Sequence, residues 1–341
     1  MLGLFTRYGI EARLKDLLAV TTQVSGVSPE SVAALSQTLL AIPPDDQGQR
    51  GGRSGLNSDG SPLQLCLTAT ENHCYSRLLG DPGFVLADPK ARFDASYLAL
   101  TEILTLTDSP ALASLCDRTL NRYIPKDVAE FARFTSGVLW LGAGLDTPGC
   151  AMYVDARRTE GIQMAWDWAE RWLTAILPDA TEARTAIAAL RDCAYLQSIG
   201  IEGSNLENVR AKLYWRFLRP TRLDRLGIEL LQNSDLATFL TLVIRDNILQ
   251  LMGIVPSLGF AIATGKIVDV KVDVCGHCLP YRPDQWINLV NRCTQQYGLA
   301  RLPIAEALEQ NRSTVSYLGM GCDTQENLRL NLYLKAFPVS S

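Results

Sequence analysis

The chain has 341 residues, of which 47% are hydrophobic and 20% are charged, and its formal net charge is −4 at pH 7. This composition is typical of a globular protein with one or two domains, and the acidic balance excludes a general nucleic-acid-binding or anionic-membrane surface. The charged start of the chain predicts no signal peptide, and no apolar run is long and unbroken enough for a membrane span. Nine scattered cysteines favour reduced thiols, so we expect a cytoplasmic protein.

Helices and then a polar segment are predicted before the first strands. Two amphipathic helices begin the chain, at Arg7–Leu18 and Pro29–Leu40. Ser28 is placed to cap the second of them. Residues 43–61 are rich in glycine, serine and aspartate, which predicts a flexible loop. Residues 62–82 then read as a weak first copy of a hairpin that returns later in the chain.

A pattern of two strands, beginning with an apolar residue and a glycine, occurs four more times. The copies are Leu139–Arg157, Ser198–Arg219, Ser257–Gly276 and Tyr317–Phe337. Helices are predicted between the hairpins, at Lys90–Leu106, Ala111–Tyr123, Gly161–Ile176, Glu182–Leu196, Arg222–Leu251, Asp284–Tyr297 and Ile304–Glu309. Five rounds of strand, strand and helix over residues 62–341, with no break between them, predict a single domain spanning residues 1–341. We expect an α/β fold in which ten antiparallel strands close into a central barrel surrounded by helices.

Polar side chains alternate with apolar ones along the second strand of each hairpin. Arg210, Lys212 and Tyr214 share one face of their strand, because side chains two residues apart point the same way. The equivalent polar positions elsewhere are Arg77, Tyr153, Lys271, Asp273, Arg329, Asn331, Tyr333 and Lys335. On a single strand such a face is usually solvated. In this sheet, however, the leucines and valines of the strands must lie on the side that the helices cover. We therefore predict that the opposite, polar faces line the lumen.

Lysines, arginines and tyrosines that converge in a lumen suit one kind of chemistry. Each charge-assisted hydrogen bond to a diphosphate contributes roughly 1.5–3 kcal/mol. A neighbouring tyrosine ring stabilises a carbocation by about 0.5–2 kcal/mol and excludes water from it. The pattern therefore predicts ionisation of an allylic diphosphate and transfer of the allyl group to a nucleophile.

These residues carry a family resemblance. The segment Ile199–Phe217 (IGIEGSNLENVRAKLYWRF) resembles the Arg-x-Lys-x-Tyr strand of indole prenyltransferases of the dimethylallyltryptophan-synthase type. Gly60–Gln64 resembles the Gly-x-Pro-x-Glu element that opens their first hairpin, and the five-round order is similar to their ABBA (αββα) barrel. The resemblance spans residue 62 to the C-terminus. It implies transfer of a dimethylallyl group from dimethylallyl diphosphate to an indole carbon.

The resemblance also implies roles for individual residues. The diphosphate-binding set is Arg77, Arg210, Lys212, Lys271, Arg329 and Lys335, and the set that shields the cation is Tyr153, Tyr214 and Tyr333. Gln64 stands where the family usually carries a glutamate that accepts the indole N–H, and Ala151 replaces a lysine. Glu207 is therefore predicted as the catalytic carboxylate beside Gln64, with Glu202 as the alternative. No Asp-Asp-x-x-Asp motif is present, which predicts turnover without Mg²⁺ or another cofactor.

Several alternatives remain open at the level of sequence. A short chain without the glutamate is similar to the compact cyanobacterial enzymes that prenylate indole alkaloids of the hapalindole type. A phenolic or peptide acceptor, or a non-catalytic barrel that binds a phosphorylated metabolite, also fits. Cys275-Gly276-His277-Cys278 resembles a redox motif, but it ends a strand and lacks further metal ligands, so neither a redox nor a zinc site is predicted. The oligomeric state, monomer or homodimer, is not specified.

Overall fold

A closed antiparallel barrel forms the centre of the molecule. The computed structural model describes residues 10–42, 54–134, 137–157, 161–245, 253–309 and 312–336. The strands are β1 (Leu63–Ala69), β2 (Cys74–Gly80), β3 (Leu139–Gly144), β4 (Cys150–Asp155), β5 (Ala194–Gly203), β6 (Arg210–Phe217), β7 (Ile254–Ala261), β8 (Ile267–Cys275), β9 (Ser313–Asp323) and β10 (Leu328–Ala336). Each strand pairs with its neighbours in sequence, and β1 pairs with β10 to close the ring. The predicted ten-stranded barrel is confirmed.

Helices surround the barrel. They are α1 (Ile10–Ser25), α2 (Pro29–Leu40), α3 (Pro89–Leu106), α4 (Ala113–Tyr123), α5 (Ile162–Ile176), α6 (Thr181–Leu190), α7 (Ser234–Ile244), α8 (Pro283–Gln296) and α9 (Ile304–Leu308). The predicted Ser28 cap is present, since the Ser28 side chain accepts a hydrogen bond from the Ser31 backbone N–H. Among the described helices, none combines the length and the apolar character needed to cross a bilayer.

The main hydrophobic core lies between the outer face of the barrel and the helices. On β10, the buried leucines Leu330, Leu332 and Leu334 belong to one core cluster with Leu17 and Val20 of α1. The alternate residues of the same strand face the lumen, which follows from the two-residue period of a strand. Trp166 and Trp172 of α5 and Trp215 of β6 are fully buried in this outer cluster.

Two predicted helices extend well into residues that are not helical. The helix predicted over Glu182–Leu196 ends at Leu190, because Ala194 already begins β5. The helix predicted over Arg222–Leu251 is confirmed over α7 but wrong before Ser234: two short 3-10 turns precede α7, and Gly227 between them has a φ of +68° that no helix contains. Residues 246–251 of that prediction lie outside the described residues, as do 7–9 of the first predicted helix and Phe337 of the last hairpin.

The described part of the predicted flexible loop, residues 54–61, is hydrogen-bonded to the barrel; residues 43–53 lie outside the description. Ser54 Oγ donates to Asp81 Oδ2 at 2.6 Å, and Arg92 of α3 donates to the same carboxylate oxygen. Asn57 Nδ2 donates to the carbonyl oxygens of Ser61 and Leu63 at 2.9 and 3.2 Å. This segment therefore forms part of the wall at one end of the barrel.

Candidate active site

The lumen holds two chambers that meet at a group of tyrosine rings. The basic chamber, at the hairpin-turn end of the barrel, has a volume of about 480 Å³. Its charged lining residues are Arg77, Glu202, Arg210, Lys212, Lys271 and Arg329. The aromatic chamber, at the end covered by residues 54–61, has a volume of about 100 Å³. Its lining includes Leu79, Trp140, Tyr153, Tyr214, Tyr317 and Tyr333, with Gln64 and Asp273 as polar members.

The lysines of the polar strand faces point inward, as the sequence predicts. Only 2% of the Lys212 side chain and 5% of the Lys271 side chain are exposed to solvent. Asp269 of β8 gathers three of the cations on one oxygen. Its Oδ2 lies 2.9 Å from Arg210 Nη1 and 3.4 Å from Lys212 Nζ, and it also accepts a hydrogen bond from Arg329 Nη2. The carboxylate thus holds three positive groups, two from β6 and one from β10, at one point before any ligand is bound.

In two of the four hairpins, the repeated glycine lies directly opposite a carboxylate of β8. Gly259 of β7 is registered with Asp269, and a Cβ at that position would lie 1.8 Å from Asp269 Oδ1. Gly319 of β9 is registered with Asp273, and its Cβ would lie 1.9 Å from Asp273 Oδ1. Only a residue without a side chain leaves room there. The glycines of β7 and β9 therefore leave the space that a carboxylate of β8 occupies, and we call these two positions glycine seats.

Burial and charge shift the titration of this cluster in opposite directions. Burial lowers the pKa of Lys212 to about 8, even though Asp269 and Glu202 favour its charged form. Burial would raise the pKa of Asp269, but Lys212, Arg329 and Arg210 hold it well below the usual range. Burial would likewise raise the pKa of Glu202, but Lys212 and Arg77 hold it well below its usual value. Both carboxylates are ionised at neutral pH.

The tyrosines form the floor between the chambers. Tyr153 and Tyr214 pack edge to face, with ring centroids 5.7 Å apart, and Tyr317 and Tyr333 do the same at 6.0 Å. Glu202 Oε1 accepts hydrogen bonds from the hydroxyls of Tyr153 and Tyr214, the latter at 2.8 Å. These bonds fix the ring orientations between the two chambers.

Lys271 belongs to both chambers. Its Nζ donates to the Tyr333 hydroxyl at 2.7 Å and lies 4.8 Å from the centroid of the same ring. The ion pair of Lys271 Nζ with Asp273 Oδ2, at 2.6 Å, reaches into the aromatic chamber. The arrangement can therefore hold an anion at one end, a cation beside the tyrosine rings and a flat ring at the other end.

The structure brings together eight of the predicted site residues. They are Arg77, Arg210, Lys212, Lys271, Arg329, Tyr153, Tyr214 and Tyr333. Gln64 of β1 lines the aromatic chamber, and its amide nitrogen donates to Asn57 Oδ1 at 2.6 Å and to Ser316 Oγ at 3.0 Å.

Two predicted residues lie elsewhere. Lys335 is six residues along β10 from Arg329, which at about 3.3 Å per residue places it some 20 Å away, at the other end of the lumen. Its Nζ pairs with Asp59 at 3.4 Å and with Ser58 at 3.2 Å. Glu207 is exposed in the β5–β6 turn, where the chain points into solvent. Glu202, on the lumen face of β5, is the buried carboxylate beside the tyrosines.

Asp269 and Tyr317 are the residues of this site that the sequence prediction misses. Asp269 precedes Lys271 by two residues, so strand alternation alone puts it on the same face. Tyr317 belongs to a first strand of a hairpin, and only the second strands show a conspicuous polar face. The register of β9 with β10 brings Tyr317 opposite Tyr333.

Solved structures with this fold match the chain almost end to end. A 5-dimethylallyltryptophan synthase from Streptomyces coelicolor is 16% identical, with a TM-score of 0.77 over 96% of this chain and 98% of that chain. A 6-dimethylallyltryptophan synthase from Micromonospora olivasterospora, in complex with DMASPP and Trp, is 16% identical, with a TM-score of 0.76 over 96% and 98%. The prenyltransferase PriB, in ternary complex with L-tryptophan and dimethylallyl thiolodiphosphate, is 14% identical, with a TM-score of 0.73 over 96% of both chains.

At these identities the likeness establishes a shared fold, and it confirms the predicted ABBA barrel. No protein-family model and no curated protein matches the sequence. The chemistry of the lumen must therefore be argued from its own residues.

Proposed function

We propose that the chain is an aromatic prenyltransferase that moves a dimethylallyl group from dimethylallyl diphosphate to an indole carbon. The observation that carries this proposal is the basic chamber, joined through a layer of tyrosine rings to a chamber with aromatic walls. The complexes of the similar structures with L-tryptophan and dimethylallyl thiolodiphosphate, and with DMASPP and Trp, support it. The two chambers and the rings between them match the leaving group, the acceptor and the cation of such a reaction.

The diphosphate binds in the basic chamber, where it forms charge-assisted hydrogen bonds with the cationic side chains that pair with Asp269 in this structure. Arg210, Lys212 and Arg329 already converge on one oxygen. Charge-assisted hydrogen bonds to the leaving group strengthen as the allylic C–O bond breaks and negative charge develops, so they lower the barrier to ionisation. Because these side chains supply the positive charge that a metal ion provides elsewhere, we expect no Mg²⁺ requirement and unchanged turnover in EDTA.

The dimethylallyl cation then lies against the tyrosine rings, and the acceptor occupies the aromatic chamber. The π faces of Tyr153, Tyr214 and Tyr333 stabilise the cation and keep water from it. A chamber of about 100 Å³ is small beside the roughly 300–1,000 Å³ of most ligand pockets, so a polycyclic acceptor requires residues 54–61 to shift outward. Gln64 provides no carboxylate to accept the indole N–H of free tryptophan. We therefore propose an indole alkaloid of the hapalindole type as the acceptor.

Glu202 replaces Glu207 as the proposed proton acceptor. It is the buried carboxylate bonded to the hydroxyls of Tyr153 and Tyr214, whose rings line the chamber proposed for the acceptor. Its depressed pKa makes it a weak base in the free enzyme. A bound diphosphate that engages Lys212 and Arg210 reduces their hold on Glu202 and so makes it more basic.

The direct test is incubation with dimethylallyl diphosphate and a panel of indoles, read by mass spectrometry for the gain of one C5H8 unit. Lys212→Ala is expected to lower turnover at least about tenfold, because it removes a charge-assisted bond to the leaving group. Lys335→Ala is the matched control, since Lys335 lies outside the basic chamber, and its KM for the diphosphate should equal that of the wild type. Full activity in Lys212→Ala would overturn the assignment of the chamber.

The same panel separates the alternatives. Gain of C5H8 by phenols or peptides and not by indoles would show that the acceptor is not an indole. The assignment of the basic chamber to the donor would still stand. Tight diphosphate binding, measured by calorimetry, without transfer to any acceptor would identify a non-catalytic barrel that binds a phosphorylated metabolite.

A further inference from the structure

A pair of cysteines lies at the end of β8 nearest the aromatic chamber. Cys275 is the last residue of β8, and Gly276–Cys278 form one turn of 3-10 helix. The two sulfur atoms and a ring nitrogen of His277 all lie within 4.8 Å of one another. Both cysteines are reduced. The geometry therefore places two thiols within 4.8 Å of each other.

The turn that carries them is held tightly against β9. A Cβ on Gly276 would lie 2.3 Å from the carbonyl oxygen of Val315, so only glycine fits between the turn and that strand. The Leu279 N–H donates to the Gly276 carbonyl at 3.1 Å and closes the turn. Residues at the ends of a four-residue turn have Cα atoms within about 7 Å, and disulfides span about 4.4–6.8 Å. A bond between Cys275 and Cys278 therefore requires no rearrangement of the barrel.

A guanidinium beside Cys275 supplies positive charge to the pair. Arg216 Nη1 donates to Cys275 Sγ at 3.5 Å, while Arg216 Nε donates to Gln197. The sequence predicts no redox role because Cys275 ends a strand, whereas reactive thiols of this spacing usually begin a helix. Arg216 provides here the stabilisation of a thiolate that a helix N-terminus provides elsewhere.

The two thiols differ in access to solvent. Cys278 is partly exposed, whereas Cys275 is fully buried. Burial raises the pKa of both thiols, and the charge of Arg216 opposes that rise. An exposed thiol that meets the reagent and a buried partner that completes the reaction is the arrangement that thiol–disulfide exchange requires.

We propose that Cys275 and Cys278 form a second reactive site, a dithiol that exchanges with low-molecular-weight disulfides such as oxidised glutathione. The Cys278 thiolate attacks one sulfur of the disulfide, an S–S bond forms to Cys278, and one glutathione leaves as thiolate. The Cys275 thiolate then attacks the Cys278 sulfur, which forms the intramolecular bond and releases the second glutathione. The two protons of the cysteine thiols end on the two glutathione molecules, so the dithiol is oxidised and the disulfide reduced.

Zinc is a poorer occupant of the same three side chains. Burial, together with the charges of Lys335 and Arg216, lowers the pKa of His277, which shows that the surroundings disfavour added positive charge. His277 is also exposed, and the group offers three ligands where structural zinc sites use four. We therefore expect no zinc bound at stoichiometric level after incubation with the metal alone.

The test is exposure of the folded protein to oxidised glutathione, followed by alkylation of the remaining thiols and peptide mass spectrometry. Cys74→Ser serves as the parent, because Cys74 is exposed and would add a glutathione of its own. The peptide with both residues should lose two hydrogens and keep no glutathione. In Cys275→Ser the second step is blocked, so Cys278 should retain one glutathionyl group. In Cys278→Ser, Cys275 should stay alkylatable.

Arg216→Gln tests whether the charge of Arg216, and not only the proximity of the two thiols, promotes the reaction. It should slow closure of the intramolecular bond about tenfold or more, so that the mixed disulfide on Cys278 accumulates. The buried thiols of Cys116 and Cys293 are internal controls and should remain reduced. The proposal is overturned if both cysteines stay fully alkylatable, or if Cys275→Ser carries no adduct on Cys278. Circular dichroism of each variant checks the fold, and the experiment is independent of prenyl transfer.

Discussion

Lys212 is a residue of the basic chamber whose titration falls within the working pH range of most enzymes. It is buried in the basic chamber with a pKa of about 8, between Asp269 and Glu202. At neutral pH most molecules carry the ammonium form that a diphosphate needs. As the pH rises through about 8, that form disappears from the unliganded protein, so the affinity for the proposed diphosphate donor should decrease.

We predict that the KM for dimethylallyl diphosphate increases several-fold between pH 7 and pH 9. In Lys212→Arg the increase should be absent, because a guanidinium remains charged throughout this range. Steady-state kinetics over that pH interval, at saturating acceptor, measures the difference. An equal rise in KM in both proteins would show that another group is responsible.

Tyr214 separates the contribution of a ring from that of a hydroxyl. Tyr214→Phe keeps the π face and loses only the hydrogen bond to Glu202, whereas Tyr214→Leu loses both. Because a cation–π contact contributes about 0.5–2 kcal/mol, Tyr214→Leu should lower kcat about 2- to 30-fold, and Tyr214→Phe less. Tyr214→Leu should also release more prenyl alcohol per transfer, since water reaches the cation. Equal rates and product ratios in the two variants would contradict the shielding role.

At the scale of elements, the absence of a side chain at Gly259 of β7 determines where the Asp269 carboxylate can lie. Gly259→Ala places a methyl group where Asp269 Oδ1 now lies, so the carboxylate must move and its three cations with it. We expect a loss of about 1–3 kcal/mol of unfolding free energy together with an increased KM for the diphosphate.

The matched control is Gly142→Ala, at the same place in an earlier hairpin, where the nearest atom is the Cβ of Ala151 at 3.3 Å. Chemical denaturation and donor kinetics on both variants test the idea. Comparable losses of stability and donor affinity in the control would mean that the seat at Gly259 has no special role.

Strand alternation explains which parts of this architecture the sequence predicts. It assigns Lys212, Lys271 and Arg329 to the lumen correctly, because covering helices demand an apolar outer face. It does not report height along the barrel axis, and so Lys335 shares a face with Arg329 yet lies at the opposite end.

Long-range pairing is the second quantity that alternation does not report. The convergence of Arg210 and Arg329 on Asp269 joins residues 59 and 60 positions apart, through registers that depend on bulges such as the one between Gly259 and Phe260. The helix predicted over Arg222–Leu251 is wrong before α7 for a local reason. The hydrophobic periodicity of the segment favours a helix, whereas Gly227 interrupts it.

At the scale of the whole molecule, a buried ion pair ties the barrel to its surroundings. Asp81, just after β2, accepts hydrogen bonds from Arg92 of α3 and from Ser54 of the segment that covers the aromatic chamber. Burial raises the pKa of Asp81 in spite of Arg92, which indicates how strongly this carboxylate depends on its partner.

Arg92→Met should therefore cost about 3–5 kcal/mol of unfolding free energy, because it leaves a buried carboxylate without its cation. The double variant Asp81→Asn/Arg92→Met should recover part of that loss. A double-mutant cycle from denaturant titrations gives the coupling energy, and strictly additive losses would exclude a coupled pair.

Lys271 touches both chambers, and this has a consequence for how two substrates occupy the barrel. Its ammonium group is shared between Tyr333, Asp273 and the basic chamber, so a ligand that draws it to one side changes the electrostatic field on the other. Occupancy of the two compartments is then heterotropically linked. By reciprocity, whatever factor the donor imposes on the dissociation constant of the acceptor, the acceptor imposes on that of the donor.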